Sequence, residues 1–169
     1  MQPRTRLHLD RAEQNRALIQ AWLAVRSSEA PAPEPGCWVW GVVIAFYAAL
    51  HFADAYLGEH HGFQPRDHHQ RREALRQARA FQTPDAQGIT PYQAYRTLEN
   101  LATHARYAPD FTATRDQVHA LLHGPLEHVW QAVYAALAAS PTLTPRYPPA
   151  AVHPPKARVC RVPSAAEAP

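Results

Sequence analysis

Apolar residues recur at helical spacing from Leu9 onward. Leu18, Trp22 and Val25 form one stripe beside Ala21, and Asp10 is placed to cap the start, which predicts a first helix ending near Ser27 and Ser28. Pro31, Pro33, Pro35 and Gly36 then exclude a continuing helix and predict a turn or short stiff linker. The run Cys37 to Leu57 is apolar all round at first and one-sided later, the pattern of a central helix buried against several neighbours at one end and wetted at the other. Val39, Val42, Val43 and Ile44 leave a strand open for its first half, but length, alanines and aromatics favour helix. Gly58, Gly62 and Pro65 mark a loop, after which Asp67 caps a third, charged helix whose Arg71, Leu75, Ala78 and Phe81 share a face. Thr90 and Pro91 open a fourth helix, with Tyr92, Tyr95, Leu98 and Ala102 repeating through Tyr107. From Thr114 a fifth helical region presents Val118, Leu121, Leu122, Leu126, Val129, Val133 and Leu137, interrupted at Gly124-Pro125 by a kink or short break.

This pattern predicts an all-α, up-and-down bundle of about five helices over residues 1–140. Beyond Ser140 stand eight of the 17 prolines with no helical period, which predicts an extended or disordered Pro-rich tail over 141–169. Charge sharpens the division. Residues 1–140 hold 13 Arg against 13 Asp and Glu, whereas the tail holds Arg146, Lys156, Arg158 and Arg161 against Glu167, so the whole net charge of +3 lies in the tail. A pI near 9.1 therefore does not imply a basic patch on the body. Cys37 and Cys160 match no ligand or redox spacing, Met1 to Asp10 has no apolar leader core, and the longest mostly apolar run, Cys37 to Leu50, is short of a membrane span. The expectation is a cytoplasmic protein with no membrane partner and no cofactor.

Eleven histidines invite a metal reading, with the greatest density at His51, His60, His61, His68 and His69. No His-Glu-x-x-His and no paired cysteines occur, so a metal site requires His51 on the second helix to meet His68 on the third, with Asp54 one turn beyond His51 as third ligand or orienting partner. If the second, third and fourth helices adjoin, Tyr95, Arg96, His104, Arg106 and Tyr107 cluster with His51, Asp54, His68 and Arg71 around an interhelical pocket. A buried polar network fixing helix register is the alternative use of the same residues. Arg71, Arg72, Arg76 and Arg79 form a short basic run that a tail bearing Arg158 and Arg161 can extend, though Asp67 and Glu73 dilute it as a nucleic-acid surface. Phosphate-binding glycine loops and nucleophile elbows are absent. Trp38, Trp40 and Trp130 with the apolar second helix exceed what a small bundle needs, which points to a symmetric homodimer.

The run Phe46 to Leu57, followed by His68, Arg71-Arg72, Tyr95-Arg96-x-Leu98 and Ala105-Arg106-Tyr107, resembles the HEPN superfamily, in particular its small bacterial members, over roughly residues 36–110. The resemblance implies an up-and-down helical bundle, often dimeric, that serves either as a non-catalytic binding or regulatory domain or as a metal-independent RNase of a toxin or defence system. Within the interhelical cluster, His51, Asp54, His68, Arg96 and Arg106 are the candidates for catalysis, with Arg71, Arg72, Tyr95, His104 and Tyr107 for binding RNA or a protein partner. One departure stands out. Nuclease members pair an Arg and a His with four to six residues between them, whereas Arg96 and His104 here have seven between and Arg115 and His119 have three.

Overall fold

The computed structural model describes residues 1–24 and 35–139, and these fold into an all-helical bundle with no strand among them. Val25, most of the proline turn and the whole predicted tail, with Arg158, Cys160 and Arg161, lie outside the described residues. In chain order the helices are α1 (Pro3–Ala24), α2 (Pro35–His61), α3 (His68–Gln77), the single turn α4 (Arg79–Gln82), α5 (Pro91–Tyr107), α6 (Arg115–Leu121) and α7 (Glu127–Ala138). The strand left open for Val39 to Ile44 is helix.

Three helix starts follow local chemistry. Asp67 accepts a bond from the Gln70 N–H, and Thr90 and Thr114 each close a reciprocal capping box with Gln93 and Gln117, Pro91 occupying a first-turn position where no donor is needed. The predicted third helix breaks at Ala78, whose extended backbone separates α3 from α4. The fifth stays continuous, because the π-helical turn Leu122–Leu126 between α6 and α7 takes up Pro125, which lacks an N–H and crowds the carbonyl four residues back. Its seven expected apolar residues are all buried.

The long helix α2 is the axis of the bundle and packs on α1, α5 and α7. It approaches α6 so closely at Gly41 that a Cβ there would stand 3.0 Å from Val118 Cγ2. Burial along α2 reverses the expected gradient. Phe52 to Gly58 is continuously buried, while Trp40 (60% exposed) and Tyr47 (38%) leave the more apolar half partly uncovered. The 14-residue apolar run thus belongs to a longer element: Gly36–His61 is long and apolar enough to cross a membrane by length and composition alone, though more than half of it is buried in the bundle.

Helix α1 differs most from expectation. It starts at Pro3 rather than near Leu9, and it buries Thr5, Leu9, Ala12, Ile19 and Leu23 while Leu18 is 41% exposed. Two apolar stripes compete on this helix. The one containing small Thr5 and Ala12 wins because it allows α1 to lie closely along α2, as the contact of Thr5 with Gly58 indicates. Polar bonds hold its middle to α7: Glu13 accepts from Trp130 Nε1 and Tyr134 Oη, both at 2.9 Å, and Arg16 bonds Glu127 at 3.0 Å with its guanidinium 4.7 Å from the Trp130 ring centre.

Candidate functional site

The earlier start of α1 brings a residue that the sequence reading did not select to the centre of the site. His8 on α1 faces His51 on α2, with their Nδ1 atoms 3.1 Å apart and their ring centres at 5.3 Å. Two imidazole nitrogens at that distance share a single proton, one donating and one accepting. Asp54, one turn beyond His51, completes the group: one ligand atom from each of His8, His51 and Asp54 lies within 4.8 Å of the other two. Both histidines are half-buried, and Asp54 is buried.

Asp54 is held from the other side by Arg71 of α3, which donates through Nε to Oδ1 at 2.6 Å and through Nη2 to Oδ2 at 3.1 Å. This is a side-on bidentate pair with both side chains about nine-tenths covered. Burial opposes the Arg71 charge, but the adjacent Asp54 carboxylate and the Tyr95 phenol outweigh it and hold the guanidinium even more firmly protonated than usual. Each carboxylate oxygen has two lone pairs, so engagement with Arg71 leaves Asp54 able to accept a second partner.

Tyr95 of α5 is fully buried beside this pair, its ring 5.8 Å from that of Phe46 on α2, so α2 and α5 do lie side by side. Burial pushes the Tyr95 phenol well above its ordinary value, with Arg71 opposing and Glu99 and Asp54 adding to the shift. One turn along α5, Glu99 forms a second cluster. Its carboxylate, 6% exposed, accepts from Arg72 Nη1 at 3.1 Å and from Arg96 Nη1 at 2.5 Å, and His68 Nδ1 stands 3.4 Å away without a hydrogen bond.

The expected residues thus divide between two neighbouring groups. His51 and Asp54 stand with Arg71, whereas His68, expected beside them as a metal ligand, instead faces Glu99 and lies tilted against Phe46 with ring centres 5.7 Å apart. The reason is geometric: His68 and Arg72, four residues apart on α3, share the face that meets Glu99 of α5, while Arg71 occupies the Asp54 carboxylate. Arg72 and Arg96 join the Glu99 group. Arg106 bonds the Ala102 carbonyl at 3.0 Å, lies over the Tyr107 ring and is within electrostatic reach of His68. His104 and Tyr107 are exposed on α5, Tyr107 by 75%. His8 and Glu99 were missed.

His51 and His68, both partly buried, are biased toward the neutral form. Burial is the first cause for His51, followed by His8, with Arg11 and Arg71 adding and Asp54 opposing. His68 is likewise lowered first by burial and then by Arg71, with Arg106 and Arg72 adding and Glu99 opposing. Folded values below the unfolded ones mean that the unfolded chain binds more protons, so stability rises with pH across the window just below the ordinary imidazole value. In chelator, the urea midpoint is expected to be lower at pH 5.5 than at pH 7.5, and His51→Gln with His68→Gln should lessen that fall. An equal fall in the double variant would assign acid sensitivity to other groups.

No protein-family profile, curated protein or solved structure matches the chain.

Proposed function

We propose that this chain is a metal-binding helical-bundle protein, with a divalent transition-metal site formed by His8, His51 and Asp54. The observation that carries this reading is the convergence of two imidazole nitrogens and a carboxylate oxygen within 4.8 Å, drawn from two helices. The donor set suits the reading: imidazoles with one carboxylate and no thiolate match Zn²⁺, Co²⁺, Ni²⁺ or Fe²⁺ better than Mg²⁺ or Ca²⁺. The neutral bias of His51 keeps its lone pair available at neutral pH. Arg71 acts as the positioning group, fixing the Asp54 carboxylate while offsetting part of its charge. When bound, such a metal supplies Lewis acidity and an open coordination position.

Of the likeness to HEPN bundles, the all-α helical architecture is what this fold shares. The RNase use of His51 with Arg106 is less well supported, because His51 is engaged by His8 and Arg106 sits by His68.

Equilibrium dialysis of purified protein against Zn²⁺ is expected to give one tightly held ion per chain. His8→Ala should weaken binding more than about tenfold, at least matching the loss usual for removing an outer partner of a ligand. Binding unaffected by both His8→Ala and His51→Ala, in variants with wild-type circular dichroism, would reject the site.

A further inference from the structure

The second cluster has a different chemistry. Glu99 alone meets Arg72, Arg96 and His68, and Arg106 is close enough to influence His68 electrostatically. Two arginines against one carboxylate leave one unneutralised positive charge even with His68 neutral, and Arg106 adds positive field at His68. A carboxylate serving only to fix helix register needs one partner. Here it holds two guanidinium groups in place, one from α3 and one from its own helix, each through Nη1, leaving the remaining N–H groups of both free of Glu99.

Those groups are reachable. The Arg72 and Arg96 side chains are each 34% exposed and that of His68 is 44% exposed, whereas Glu99 itself is covered. The buried acid therefore anchors cations whose outer faces meet solvent, an arrangement that lowers the ordering cost of binding an anion. Arginine's planar fork suits the tetrahedral oxygens of phosphate.

We propose that Arg72, Arg96 and His68, organised by Glu99 and flanked by Arg106, form a binding site for a compact phosphate group, as inorganic phosphate or a small phosphomonoester. Compactness follows from how the α3 arginines diverge. Arg71 turns inward to Asp54, Arg72 turns to Glu99, and Arg76 pairs with Glu73 on the surface. The run of basic residues in the sequence is thus no continuous stripe in space, and a long polyanion requires such a stripe. A single phosphate needs only the point where the cations converge. This site is distinct from the His8, His51 and Asp54 group, shares no ligand atom with it and stands whether or not that group holds a metal.

Calorimetric titration of the full chain carrying His8→Ala, in chelator, separates the two sites. Inorganic phosphate and phenyl phosphate are the probes, and a single-stranded oligonucleotide lacking terminal phosphate is the comparison. Phosphate is expected to bind with a Kd below about 10 mM, and Arg72→Gln and Arg96→Gln should each weaken it by about tenfold, the usual worth of one charge-assisted contact. Stronger binding of phenyl phosphate would identify the phosphomonoester as the preferred source, and equal binding the free ion. The two arginines are partly exposed, so their variants test the idea while the buried Glu99 carboxylate stays in place. No phosphate binding, binding indifferent to both arginine substitutions, or binding of the oligonucleotide alone would overturn the proposal.

Discussion

Arg71→Met is expected to destabilise the protein by about 3–5 kcal/mol, because it leaves the buried Asp54 carboxylate without its bidentate partner. The loss is large for a simple reason. Desolvating a lone charge costs several kcal/mol, and nothing else among the contacts of Asp54 supplies two charge-assisted donors. The double variant Asp54→Leu with Arg71→Met should recover most of the loss, since an apolar pair of similar volume has no charge to strand. Urea denaturation of the wild type, both single variants and the double variant measures this directly. Single losses that simply add in the double variant would show that the two side chains do not act as a pair.

Phe46→Ala has the next largest expected effect, a loss of about 3–5 kcal/mol typical of truncating a fully buried aromatic residue. The ring stands where the two polar clusters come together, 5.8 Å from Tyr95 and 5.7 Å from His68 by ring centres. Its removal opens a cavity and relieves the burial of His68, the first cause of its lowered value, so the stability loss should be accompanied by a His68 titration closer to the ordinary imidazole value. Phe46→Leu, which retains much of the volume, should lose markedly less. Thermal or urea unfolding together with an NMR titration of His68 checks both parts, and a small loss with an unchanged His68 would place the ring outside the packing that holds the two helices together.

Much of this architecture is legible in the sequence because short-range chemistry and long-range packing agree. Thr90 with Pro91, Asp67 and Thr114 cap the helices that their positions predict, and Val118 to Leu137 buries the face that its spacing selects. The neighbouring placement of α2 and α5 is a condition that the apolar pattern leaves open, since periodicity shows that a face is buried and not which helix covers it, and the packing of Phe46 on Tyr95 meets that condition.

His8 was hidden by a choice of stripe. Leu18 and Trp22 are larger than Thr5 and Ala12, yet close helix packing rewards the small residues, and only with the helix extended back to Pro3 does His8 lie beside the buried face. Glu99 was hidden by its charge: a lone acid between Leu98 and Ala102 reads as surface until the cations supplied by α3 and α5 are placed around it. Its position four residues after Tyr95 was the available signal. The separation of His68 from Asp54 depended on which α3 residue would reach the carboxylate first, and periodicity does not rank Arg71 against His68.

The central claim is that His8 and His51 ligate a metal together. Protein labelled with ¹⁵N-histidine, titrated with Zn²⁺ at neutral pH and followed by long-range nitrogen–proton correlation, reports on each of the eleven imidazoles separately. The Nδ1 signals of His8 and His51 are expected to shift together, saturate at one equivalent and lose their shared hydrogen-bond character. Zinc that shifts other histidines while leaving the Nδ1 atoms of His8 and His51 unchanged would contradict the claim.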